Sequence, residues 1–265
     1  MSGDEVFALI ISFIVGIFGW RTWLGGLLLL QPLTRKPAMQ FLGWLSPVAA
    51  GAALLFVLFK CSSSDVRDAP IYIFFYMVMG FGWAGLWNLI LPYAGLSFRD
   101  DALELDNDSA GLAIAGSLVG VTLAFAGANI GQGPGWWVVV FCALLGTAVM
   151  LILWMIGAGI TCVADTITID RDMAAGWRAA GFFIGAGLIL GRAVAGDWQS
   201  ANQTVIDFLV HGWPVLVLWG ITLALDKMCK PTPLRPAPNS FIFGVMPFAV
   251  LIGISIGAVA IQGPW

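Results

Sequence analysis

Apolar residues gather into eight long runs separated by short polar connections, at residues 6–30, 41–59, 71–91, 109–131, 136–164, 174–196, 204–225 and 241–261. Each run holds roughly 18 residues or more, enough to cross the ~30 Å hydrocarbon core of a bilayer as an α-helix. A membrane β-barrel would instead show segments of about ten residues alternating apolar with polar. The pattern therefore predicts an all-α, polytopic transmembrane helical bundle of about eight spans. The first run follows Asp4 and Glu5, where a secretory signal would be basic, and it is too long for a signal core, so a retained helix is expected.

Composition agrees with that reading and narrows the function classes. Of the 265 residues 60% are hydrophobic and 10% charged, against about 25% charged in a soluble domain. Net charge is only −3 and basic residues form no cluster, so no nucleic-acid partner is expected and the bilayer is the first partner. Cys61, Cys142, Cys162 and Cys229 stand far apart, and His211 is the single histidine. Neither a zinc nor a haem site finds its usual ligands, so no metal or cofactor is expected. Helix packing is the reading for Cys142 and Cys162.

Lysines and arginines are distributed unevenly between alternate connections. Arg35, Lys36, Arg99, Arg171, Arg178, Lys227, Lys230 and Arg235 fall on one side, against Lys60 and Arg67 on the other. Positive residues mark the cytoplasm, so both termini are expected outside, together with the 131–134 turn and the 197–203 segment. Trp136, Trp137, Trp198 and Trp213 then lie at the outer interface as an aromatic belt. Pro231, Pro233, Pro236 and Pro238 read as a stiff extended linker to the final helix.

A parallel tandem repeat of helical hairpins is the most informative pattern. Asp101-Ala-Leu-Glu-Leu-Asp-Asn-Asp108 matches Asp165-Thr-Ile-Thr-Ile-Asp-Arg-Asp172 at an offset of 64 residues, 165 − 101. After one inserted residue, Gly111, Gly116, Gly120 and Gly131 answer Gly176, Gly181, Gly185 and Gly196 at an offset of 65, 196 − 131. Each copy has an acidic cytoplasmic lead-in, a glycine-rich helix, an outer turn and a returning helix. The chain divides accordingly into a three-helix region (1–98), repeat 1 (99–164), repeat 2 (165–225), and a Pro-rich linker with the final helix (226–265). Gly116/Gly120 and Gly181/Gly185 are G-x-x-x-G pairs, suited to close packing of these helices on each other or on another protomer, or to lining a permeation path.

The residues Asp106-Asn-Asp-Ser-Ala-Gly…Gly116 and Asp170-Arg-Asp-Met-Ala-Ala-Gly…Gly181 resemble the bacterial inner-membrane family of YjfL-like proteins, known as domain of unknown function 350, over roughly residues 99–225. That resemblance implies four helices in two tandem hairpins and a bacterial inner-membrane location. It carries no established activity.

Two roles are open for Asp101, Asp106, Asp108, Asp165, Asp170 and Asp172. Asp106 or Asp108, and Asp170 or Asp172, precede helices and can cap exposed N–H groups; alternatively the two triplets form a cation-collecting mouth or a docking site for a cytoplasmic partner. Within the spans, Arg21 and Arg192 are expected to snorkel to headgroups, and Asn88 and Asn129 to hydrogen-bond between helices. No catalytic triad, nucleotide-binding glycine loop or zinc-protease helix is present, and no enzyme is expected. Two functions remain: a non-catalytic subunit or scaffold of a membrane assembly, as a homo-oligomer or with another membrane or cytoplasmic protein, or a small cation channel or transporter with an acidic cytoplasmic mouth.

Overall fold

An apolar segment in hydrocarbon can satisfy its peptide groups only within itself, which is why the runs become helices. The computed structural model describes residues 1–29, 37–231 and 239–263. Among the described residues no strand forms; a single isolated bridge joins Ser62 to Gly131. The helices are α1 (Gly3–Leu29), α2 (Pro37–Lys60), α3 (Ser64–Arg67), α4 (Pro70–Ile90), α5 (Asp108–Gly127), α6 (Trp136–Thr161), α7 (Val163–Thr168), α8 (Met173–Ala193), α9 (Ala201–Gly212), α10 (Pro214–Cys229) and α11 (Met246–Ile261). Seven of the described helices, counted with their continuous turns, are long and apolar enough to cross a membrane, and α9 with α10 makes an eighth candidate. Arg35, Lys36, Arg235, Pro233, Pro236 and Pro238, on which the orientation and linker expectations partly rest, lie outside the described residues.

The seventh span differs from its expected form. It breaks at Trp213, with α9 and α10 inclined by 44°, because Pro214 at the first position of α10 cannot extend the preceding hydrogen-bond ladder. Gly212 packs near Ala193 and Leu190 at the end of α8, while Asp226 reaches Arg178 near its start. Thus α10 alone runs the length of α8, and α9 lies at the end where α8 finishes.

Two seams of small residues organise the bundle. In the central one, α5 and α8 run parallel: Gly176 lies against Ser109, Gly116 against Ala180, Gly120 against Phe183 and Gly187, and Gly127 against Gly191. Side chains on Gly120, Gly127 or Gly187 would overlap the facing backbone, so only glycine permits this approach. These two helices are also the most deeply buried of the candidate spans. The second seam joins α1 to α4, where Gly19 and Gly16 meet Gly85, and Ser12 meets Gly82. Its signal in the sequence is Gly16-x-x-Gly19 and Gly82-x-x-Gly85, one residue shorter in spacing than G-x-x-x-G.

The α8 pair Gly181/Gly185 faces elsewhere than expected. Gly181 adjoins Phe248 and Leu251 of α11, and Gly185 adjoins Ser255 of α11 and Leu218 of α10. On α8 it is Gly187 and Gly191, six residues further along the helix, that receive α5. Tryptophans pin neighbouring helices together through their indole N–H groups: Trp87 donates to Ser117 Oγ at 3.1 Å, Trp154 to the Ala94 carbonyl at 3.0 Å and Trp219 to the Leu153 carbonyl at 2.8 Å. Cys142 is buried as expected, whereas Cys162 is exposed in a left-handed conformation at the junction of α6 and α7.

Candidate functional site

The six predicted aspartates sit at one end of the bundle, on the segments that lead into α5 and α8. Residues 98–104 form a π-helical turn capped by Ser97, and residues 163–168 form α7. Corresponding backbone features recur here at an offset of 65, not 64. The Leu105 and Asp170 N–H groups donate to the carbonyls of Asp100 and Asp165. Asp106 and Arg171 both have positive φ, at 49° and 56°. Asn107 and Asp172 are the two N-caps. These backbone features pair at 65, as the glycines do in the sequence, whereas the aspartates align at 64.

That register corrects the capping assignment as well. Asn107 is the N-cap of α5, its Oδ1 accepting from Ser109 N at 3.1 Å and Ala110 N at 3.2 Å; Asp106 precedes that position and Asp108 opens the helix. Asp172 caps α8 as expected, accepting from Ala174 N at 3.0 Å. The two lead-in segments are joined by Asn107 Nδ2, which donates to the carbonyls of Ile167 at 2.9 Å and Thr168 at 3.1 Å, and by Ser109 Oγ, which donates to the Asp172 carbonyl at 2.6 Å. Asp101 accepts from Ser97 N at 2.7 Å and is half-buried, which raises its carboxyl above the usual carboxylate range; the neighbouring Asp100 adds to the shift and the Ser97 bond opposes it. Asp165 and Asp170 are exposed.

A buried ionic network lies just inside the bundle from these segments. Arg178 of α8 is 1% exposed. Its Nε donates to Asp226 Oδ1 of α10 at 2.6 Å, its Nη1 donates to the Phe243 carbonyl at 2.7 Å, and its Nη2 stands 3.9 Å from Asp172 Oδ2. Phe243 lies in a π-helical turn, residues 241–245, that precedes α11. Arg178 was counted as a connection charge from the sequence and Asp226 as the start of a loop; both belong to helices, and their pairing needs a fold to bring residues 48 apart together.

The remaining intramembrane candidates also resolve differently. Arg21 is exposed on α1, consistent with snorkelling. Arg192 is buried, and its guanidinium donates to the Gly263 carbonyl at 3.3 Å and 3.2 Å, holding the C-terminal end of α11 where carbonyls lack helical partners. Asn129 bonds within its own turn, Nδ2 to the Phe125 carbonyl at 2.8 Å, and its Oδ1 has no partner among the described residues. Asn88 Nδ2 likewise has none, beside a cavity of about 230 Å³ at the aspartate end. Neither asparagine donates between helices, since the small-residue seams bring backbone rather than side chains into contact.

At the opposite end, α5 and α8 finish side by side. Gly131 and Gly196 turn the chain with φ of 106° and 138°, conformations suited to glycine, and the Gly196 N–H donates to the Ile130 carbonyl at 3.0 Å. Trp198 N donates to the Gln132 carbonyl and Asp197 Oδ1 accepts from Gln132 N, both at 2.7 Å. Trp136, Trp137, Trp198 and Trp213 collect at this end, with Trp137 and Trp198 edge to face at 5.1 Å. Between these turns, the start of α4 and α9 opens a cavity of about 460 Å³.

Long apolar helices, close small-residue seams and buried charges satisfied within the bundle define a multi-pass membrane protein. The family described as Domain of Unknown Function (DUF350) matches residues 62–194, half of the chain, and the chain belongs to that family. No curated protein and no solved structure matches the chain. The matched region includes α4 and stops at the end of α8, whereas the resemblance read from the sequence began at 99 and ran to 225. It was drawn by the acidic lead-ins, and so it missed α4 and extended into α9 and α10.

Proposed function

We propose that this protein is a non-catalytic subunit or scaffold of a bacterial inner-membrane assembly, with its termini outside. One observation carries the reading: the line between the two glycine-rich helices is filled by backbone touching backbone, from Ser109–Gly176 to Gly131–Gly196, so no path runs along it within one chain. Two hairpins of common ancestry account for the offset of 65 that links the caps, the positive-φ residues and the end turns. The flanks are apolar and open, with only Leu251 and Ser255 buried in α11 and with Phe7, Phe13, Phe18, Phe41 and Phe56 exposed, a surface that suits lipid or a neighbouring subunit. Arg99, Arg171, Lys227 and Lys230 lie at the aspartate end, which supports its being cytoplasmic.

Cation flux distinguishes this reading from a channel. Purified protein reconstituted in liposomes is expected to raise sodium or potassium flux no further than empty liposomes do. Steady flux that disappears when all six aspartates are changed to asparagine would overturn the proposal.

A further inference from the structure

The cavity of about 460 Å³ is lined by more negative groups than positive ones. Glu5, Asp65, Asp197 and Asp207 line it and no lysine or arginine does among the described residues; Glu5 faces the Met1 ammonium at 4.0 Å, which leaves Asp65, Asp197 and Asp207 as the carboxylates without a cation beside them. The chain segments that end α5 and α8, residues 128–132 and 193–197, form its base, so two parallel helices direct their negative C-terminal ends at the same space. Asn129 lies in the same wall, 7% exposed; its amide nitrogen is committed to the Phe125 carbonyl, leaving Oδ1 as a buried acceptor without a donor. Tyr72, Tyr76 and Trp198 supply aromatic surface beside the carboxylates.

We propose that this cavity binds a small organic ammonium ion. Carboxylates and helix C-termini select positive charge and N–H donors, and the aromatic rings select a cation with carbon on it. A bare metal ion fits less well: the volume is far larger than one ion needs, and among the described residues no group of three or more histidine, cysteine or carboxylate side chains is placed to hold one. The site stands whether the chain works alone or in an assembly, because every wall comes from one protomer.

Calorimetry on the whole chain in phosphatidylcholine nanodiscs tests this at low salt, with the diamine putrescine and with tetramethylammonium as probes and empty nanodiscs as reference. Putrescine is expected to bind more tightly than tetramethylammonium, which has no N–H to give. Changing Asp197 and Asp207 together to asparagine should weaken putrescine by about tenfold or more, near 1.4 kcal/mol. Asp165→Asn at the far end should alter nothing. If the double variant fails to fold, Asp65→Asn in the exposed α3 replaces it, with a smaller loss expected. The proposal is overturned if neither probe binds above empty discs at about 10 mM. It is equally overturned if magnesium binds as tightly as putrescine, or if none of the carboxylate changes weakens binding.

Discussion

Arg178 and Asp226 form an ion pair of 2.6 Å between α8 and α10, with both side chains withdrawn from the surroundings. The arginine also holds the Phe243 carbonyl and stands near Asp172, so one guanidinium ties α8, α10 and the turn that begins the last span. In such a pair the loss of one partner leaves a charge with nothing to neutralise it, which is worse than having neither. Asp226→Leu or Arg178→Met alone should therefore cost about 3–5 kcal/mol, while the two together recover most of the loss. Unfolding in mixed micelles, read as a double-mutant cycle, checks this.

The α5–α8 seam predicts a sharp contrast between glycines. Gly120→Val has no room for its side chain against the Phe183 carbonyl and should cost about 1–3 kcal/mol or more. Gly159→Ala in α6 meets nothing within 4 Å and should be neutral or slightly stabilising. Thermal unfolding of the two variants gives the comparison.

Arg192 closes the far end of α11. Replacing it with methionine should free the Gly263 and Gln262 carbonyls and raise hydrogen exchange in the last turns of α11, with α5 and α8 still protected. Equal exchange in α11 before and after the change would show that the contact does not hold the helix.

Capping separates Asn107 from Asp170. Asn107→Ala loses a cap worth about 0.5–2 kcal/mol together with its bonds to Ile167 and Thr168. Asp170→Asn, at an exposed position, should fall within about 0.5 kcal/mol of the parent. Parallel unfolding measurements on the two variants decide the matter.

Asp101 should leave a pH signature. Burial raises its carboxyl in the folded protein, so the folded state holds the proton more tightly than the unfolded state does. Stability from this group is fully present below the ordinary carboxylate range and falls as pH rises through the raised value. Asp101→Asn should thus gain stability relative to the parent at neutral pH and lose that advantage in acid, as unfolding midpoints across pH would record.

The spans were legible because hydrocarbon forces every long apolar run into a helix, and their ends agree with the sequence to within a few residues. Gly116 and Gly120 were legible for the same reason: small residues at helical spacing have one main use in a bundle. What the sequence hid depended on rotation and depth. Gly181 and Gly185 share the spacing but face α11, which only the packing of a third helix decides. Arg178 lies within two turns of the start of α8, close enough to a boundary to be counted as a connection charge, and Asp226 was lost in the same way. The cavity residues come from segments far apart in the chain, and nothing in their local pattern marks them as neighbours.

The central claim is that the chain serves an assembly and not a conduction path of its own. Extraction directly into native lipid nanodiscs, followed by mass determination of the intact particle and its components, tests it most directly. The account predicts a defined particle heavier than one chain, holding further copies of it or a stoichiometric second protein. A particle of a single 28.2 kDa chain with lipid and no companion, stable across preparations, would contradict it.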